Sequence, residues 1–237
     1  MMYQYATEII NSGKQYFKLL KSDDNGRYKS WEHCYSAFAG HKGKKLTEDN
    51  IDFLCLNLSF FLASWGMYRA SSFLLQKDYR VHVTAIKEIM RDKYKGLWAI
   101  KCETYLKDDE ILETLFSLTR TLKDIYMPIR KSANESVNKK NPNQQISNTL
   151  ITKILIGTLG CAPAYDRYFK DGVKEYGVAS TLFNPKGIRN LSEFYVANKN
   201  FEKWRPTITY NGMEYPQMKV LDMCFWQIGY NLDNGTF

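Results

Sequence analysis

Apolar residues recur at intervals of three and four along almost the whole chain and nowhere settle into the strict alternation of a strand. YQYATEIINSGKQYFKLLK (residues 3–21) carries the pattern up to the turn cluster SDDNG. YKSWEHCYSAFAG, VHVTAIKEIMRDKY, DEILETLFSLTRTLKDIYMPIR, ISNTLITKILIGTLG, GIRNLSEFYVANKNFEKW and YPQMKVLDMCFWQIGYNL repeat it. A 3.6-residue period stacks apolar side chains on one face, so each segment predicts an amphipathic helix. The basic loop HKGKKL precedes TEDN, where Thr47 or Asp49 is placed to cap the next helix. Ile51 to Gln76 reads as two consecutive buried helices hinged near Gly66. Asn211-Gly212, in TITYNGMEY, is a type I′ turn signal and predicts a small β-hairpin near 207–215. The expected fold is mainly α, a two-lobed helical globule. Its seam falls in the polar stretch SANESVNKKNPNQQ (132–145), between an N-terminal lobe (1–131) and a C-terminal lobe (146–237).

Several classes are disfavoured at once. The longest apolar run, IDFLCLNLSFFLASWGMY, contains Asp52, Asn57 and two serines and reads as core, so no membrane partner is expected. The N-terminus lacks a basic segment followed by an apolar one, as a secretory signal requires. Five scattered cysteines form no C-x-x-C pair, and the three histidines share no ligand spacing. A protein-held metal is therefore not expected, no cofactor is implied, and isolated thiols suit a reducing cytoplasm.

Charge and aromatic content point the other way. Lys and Arg total 33 against 25 Asp and Glu, a net +8, and Phe, Trp and Tyr make up 15% of the chain. Cations neutralise phosphates and rings stack on exposed bases, so a nucleic-acid partner fits; a basic, soluble surface with no such partner fits as well.

The most specific stretch is TKILIGTLGCAPAYDRYFKDGV. An apolar helix ends at a Gly/Pro-containing turn, and an Asp then opens the next helical pattern. This resembles one part of the helix–hairpin–helix superfamily of DNA glycosylases, over about residues 148–173. The resemblance implies a DNA N-glycosylase in which Asp166 matches the catalytic aspartate, with Pro163 and Ala164 as the small residues before it. A fixed carboxylate there stabilises the cationic sugar or orients water, and Tyr165, Tyr168 and Arg167 would contact a base drawn out of the stack. The L-P-G-x-G hairpin is absent, and Lys153 lies too close to Asp166 in sequence to match the lysine of bifunctional members. The resemblance therefore implies water as nucleophile and no lyase step. It also admits a role in antiviral defence against modified phage DNA, for which no residue argues directly. The alternative for Asp166 is a helix N-cap and nothing more.

FLASWGMYRASSFLLQ (61–76) places Arg69 among Trp65, Met67, Tyr68 and Phe73. A guanidinium buried there needs a carboxylate, carbonyls or a ligand phosphate; Asp222, in the last helix, is one candidate. Trp65, Tyr68 and Arg69 are then either pocket wall or part of a structural pair. Arg27 and His33, in RYKSWEH, resemble the loosely spaced Arg…His pair of HEPN ribonucleases. The leading expectation is a monofunctional DNA glycosylase acting on a damaged or modified base of duplex DNA. The alternatives are a non-catalytic helical module binding nucleic acid or protein, and a HEPN-like ribonuclease.

Overall fold

The computed structural model describes residues 5–70, 72–136 and 145–235, with side chains through 133 and again from 145. Its helices are α1 (Ala6–Ser22), α2 (Lys29–Ala39), α3 (Glu48–Ser64), α4 (Val83–Ile89), α5 (Cys102–Lys107), α6 (Asp109–Ser136), α7 (Asn148–Thr158), α8 (Arg167–Tyr176), α9 (Pro185–Ala197), α10 (Asn200–Trp204) and α11 (Gln217–Asp233). The fold is mainly α, as the periodicity predicts. Thr47 caps α3 as the sequence suggests, its Oγ1 accepting from Asn50 N at 3.2 Å; Asn184 Oδ1 likewise accepts from Gly187 N at 2.7 Å, with Pro185 opening α9.

The centre of the molecule is α11. Met218 through Gly229 are all buried, so this helix is enclosed on every side. It packs against α8 on one flank and α1 on another. The α8 crossing is close because both helices present glycine: a Cβ on Gly172 would overlap the Phe225 carbonyl, and one on Gly229 the Tyr168 carbonyl. One contiguous cluster of buried residues runs from Ile9 to Ile228 and joins both sides of the 132–145 stretch. Residues 137–144 of that stretch lie outside the described residues, and α6 continues into it as far as Ser136.

Two local expectations need correction. The second helix expected up to Gln76 does not continue from the first. After Ser64 the chain turns through Gly66 at φ +77° and Ala70 at φ +50°, and only a short 3-10 turn, Phe73–Gln76, follows. Positive φ is what breaks the helix there. The hairpin near 207–215 shrinks to a single antiparallel bridge, Thr207 with Glu214, and no strand is formed among the described residues. Its polar groups are taken by α2 instead. The buried Glu32 carboxylate accepts from Thr209 N (3.2 Å), Thr209 Oγ1 (2.7 Å) and Tyr215 OH (2.6 Å), and Tyr210 OH donates to the Glu32 carbonyl. A carboxylate buried with three donors is satisfied, and it fixes the turn as a pin on α2.

All five cysteines are buried free thiols. Burial pushes Cys55 up to about 11 and the others higher still, which keeps them unreactive. Among the described residues no helix is long and apolar enough to cross a membrane, and no group of His, Cys, Asp and Glu could hold a metal.

Candidate functional site

The α7–α8 connection, residues 159–166, is buried and bonded at nearly every step. Gly160 at φ +66° turns the chain off α7, with its N–H donating to the Leu155 carbonyl. Tyr105 OH donates to the Cys161 carbonyl, Ala164 N–H to Asp222 Oδ1 (2.8 Å), and Tyr165 N–H to Thr152 Oγ1 (2.9 Å). Thr149 Oγ1 donates to the Tyr165 carbonyl. So constrained, the turn delivers Asp166 to the start of α8, where Oδ1 accepts from Phe169 N at 3.1 Å. The N-cap reading of Asp166 is therefore realised.

The second carboxylate oxygen does something else. Oδ2 lies 3.2 Å from Lys153 Nζ, and both side chains are largely shielded, 14% and 6% exposed. Lys153 also donates to the Trp65 carbonyl at 2.8 Å. Burial depresses its pKa, and Asp166 opposes the shift. A second buried pair lies alongside: Lys219 Nζ is 2.7 Å from Asp222 Oδ2 and sits over the rings of Tyr16 and Trp31. The four charges surround a recess of about 10 Å³, the scale of one water molecule.

Above this floor opens a cleft of about 650 Å³, walled by Trp65, Trp226, Tyr168 and Tyr230 with Asp166 at its base. Trp226 is the hub. It stacks with Tyr230 (5.2 Å between centroids, 14° between planes) and meets Trp65 and Tyr168 edge-on, each at 5.3 Å. Three arginines line the same cleft. Arg27 lies over Trp65 at 5.1 Å, Arg167 lies over Tyr168 and pairs with Asp233, and Arg69 folds back over Gly66. A cavity of this size with planar walls, a buried charged floor and cationic edges suits a flat, polar, anion-linked ligand.

Five of the seven residues singled out from sequence thus share one cleft: Asp166, Arg167, Tyr168, Trp65 and Arg69. Two do not. Tyr165 is 2% exposed in the core, packed against Phe169 and Phe183, and burial raises its hydroxyl pKa well above the ordinary range. Tyr68 does not line the cleft; its OH bonds His82 Nε2 at 2.9 Å and Ser59 Oγ. Arg69 is exposed at the cleft mouth rather than buried, and Asp222 is paired with Lys219, so the anticipated Arg69–Asp222 pair does not form. Arg27 and His33 line different clefts: His33 stacks on Tyr210 beside the exposed face of α3.

Sequence reasoning missed four members. Trp226 and Tyr230 lie in YPQMKVLDMCFWQIGYNL, read only as an amphipathic helix, although an i, i+4 pair of large rings near a helix end was a usable signal. Lys153 and Lys219 were each a lone cation in an apolar helix, and the burial cost of such a cation demands a partner. Compared with known proteins, the chain matches no family model, no curated protein and no solved structure.

Proposed function

We propose that the chain is a DNA-binding hydrolase that draws a damaged or modified base into this cleft and cleaves its N-glycosidic bond. The observation that carries the reading is the convergence in one concave site of Asp166, aromatic walls and two arginines, Arg27 and Arg69, that have no carboxylate partner among the described residues. Duplex DNA would lie across the cationic mouth, with Arg27 and Arg69 available to phosphate; among the described residues neither has a carboxylate partner. The extruded base would stack against Trp65, Trp226 and Tyr168, each ring offering sequence-tolerant contact.

As the C1′–N bond breaks, its electron pair leaves with the base and positive charge grows on the sugar. Asp166, held by the α8 N-terminus, supplies the compensating negative charge from a fixed position. Water then bonds C1′ through oxygen, and its proton ends on the departing base nitrogen. Lys153 orients the Asp166 carboxylate, and its ammonium is engaged by that carboxylate and the Trp65 carbonyl. Water is accordingly the nucleophile, and no lyase step is expected.

The test is an abasic-site assay on DNA carrying uracil, damaged bases or hypermodified bases, with wild type and Asp166→Asn in parallel. Abasic sites from wild type alone, with no borohydride-trapped cross-link, support the reading; no base release on any substrate overturns it. A second reading has its own observation: both Asp166 oxygens already have partners, one in the cap and one in the ion pair. That suits a nucleic-acid-binding module without catalysis, and DNA binding without base release would select it.

A further inference from the structure

Helix α1 packs its buried residues, Tyr16 among them, against α11. Tyr16 is 1% exposed, and three other rings hold its own: it stacks on Trp65 with 13° between planes and meets Tyr28 and Trp226 edge-on. It lines the small recess between the two buried ion pairs, yet its hydroxyl has no hydrogen-bond partner among the described residues. A buried hydroxyl in that condition is costly, and it points to a ligand small enough to reach it. The lining supplies further polar groups. Lys153 commits two N–H groups to Asp166 and the Trp65 carbonyl, and Lys219 one to Asp222, where an ammonium has three to give. Phe61 and Ile156 close the apolar sides, and about 10 Å³ admits one water and nothing larger. Trp65, Lys153, Asp166 and Trp226 line recess and cleft alike, so a molecule seated here adjoins the cleft floor. Burial, reinforced by the Asp222 and Asp166 carboxylates, pushes the Tyr16 pKa well above the ordinary range, so this hydroxyl keeps its proton and can donate it.

We propose that this recess seats the reacting water, with Tyr16 OH donating to the water oxygen and Asp166 receiving the proton that the water gives up. The inference rests on the cleft being a site of N-glycosidic hydrolysis. As the C1′–N electron pair leaves with the base, the water oxygen forms the C1′–O bond. Its proton passes to the Asp166 carboxylate and from there to the base nitrogen. Tyr16 is a positioning residue: it touches neither sugar nor base, and it acts through the water it orients. The nucleophile is then drawn from a one-molecule store under the floor and not from the solvent in the open cleft.

The experiment uses the full chain. Base release is measured in single turnover on the uracil-, damaged- and hypermodified-base duplexes. Affinity is read separately, by anisotropy on a fluorescein-labelled duplex carrying one tetrahydrofuran abasic analogue. Tyr16→Phe keeps the ring and its packing and removes only the hydroxyl. It should slow base release about tenfold and leave DNA affinity unchanged. Tyr165→Phe removes another buried hydroxyl without a hydrogen-bond partner among the described residues, away from the cleft, and should slow nothing. The source of the nucleophile is tested in water–methanol mixtures. A recess that fits one water excludes methanol, so mass spectrometry of the product strand should show hydroxyl at C1′ and no methyl glycoside. A methyl glycoside that rises with methanol places the nucleophile in the open cleft and overturns the proposal. Urea unfolding gives a readout without substrate. Deleting a buried hydroxyl that lacks any partner raises stability, whereas deleting one bonded to water does not, so the Tyr16→Phe midpoint should stay or fall and a rise would count against the bound water. Base release unaffected by Tyr16→Phe removes the water seat alone. No release from any duplex by wild type removes the hydrolase reading and this role with it.

Discussion

Replacing Asp166 by Asn separates the two duties of this side chain. Asn caps helices as well as Asp, so Oδ1 keeps the bond from Phe169 N that starts α8. The other oxygen becomes an amide nitrogen facing Lys153 Nζ, two donors where an ion pair stood at 3.2 Å. Removing one member of a buried pair costs about 3–5 kcal/mol when the partner is stranded. Here Lys153 keeps the Trp65 carbonyl and can shed its proton, its pKa already being depressed by burial, so about 1–3 kcal/mol is the expected loss. For a domain of this size that lowers Tm by roughly 3–10 °C and leaves the protein folded at 25 °C. Base release should fall by about 10²–10³ or more, the range for a preorganised electrostatic group, while DNA affinity is unchanged or slightly improved by the loss of a negative charge. A second substitution sharpens the test. Lys153→Met in the Asn background removes the stranded cation and should recover stability, but not base release. The assays are urea unfolding by circular dichroism, DNA anisotropy and abasic-site release. If the double variant regained activity together with stability, Asp166 would be a structural cap and the mechanism above would be wrong. Near-wild-type release by Asp166→Asn would be equally damaging.

Three further outcomes follow from particular contacts. His82, buried between Tyr68 and Tyr126 with its pKa lowered to about 3 against 6.5 in the unfolded chain, is depressed by desolvation. Its stabilisation is present above pH 6.5 and is lost as pH falls towards 3, about 2 kcal/mol between pH 7 and 5; His82→Gln should show a smaller acid loss in urea titrations, and identical pH dependence would contradict the assignment. Gly172→Ala forces a methyl against the Phe225 carbonyl at the α8–α11 crossing and should destabilise by about 1–3 kcal/mol in thermal melts, with a neutral result showing that the helices can separate. Tyr168→Ala opens one cleft wall and should weaken DNA binding about tenfold by anisotropy, whereas Tyr165→Phe, deep in the core and away from the cleft, should leave binding unchanged.

Much of the helical framework was legible because apolar period and cap chemistry are local. Thr47 starts α3 and Gly160 stops α7 using bonds that span no more than five residues. Errors arose where a local rule was outvoted by distant partners. The Asn-Gly turn looked like a hairpin, but Glu32, more than 170 residues away, claimed its donors. Arg69 was taken as buried because its neighbours in sequence are aromatic; the Gly66 turn, with its left-handed φ, lifts it out of that company.

The two tyrosines around Asp166 divide for the same reason. Tyr165 precedes the cap, with its main chain tied to Thr149 and Thr152 of α7, and its ring drops into the core between Phe169 and Phe183. Tyr168 is in the first turn of α8, where helical rotation carries it round to Trp226. A helix start thus sorts adjacent aromatic residues onto opposite sides within three positions, which composition cannot resolve. The same geometry removes the opposition between a capping and a functional Asp166. A cap bond occupies one carboxylate oxygen and immobilises the side chain at the positive end of a helix. The other oxygen is left fixed at the base of the cleft beside Lys153, and a carboxylate meant to meet charge developing on a ligand needs that rigidity. Capping is therefore the means by which α8 holds the carboxylate in place.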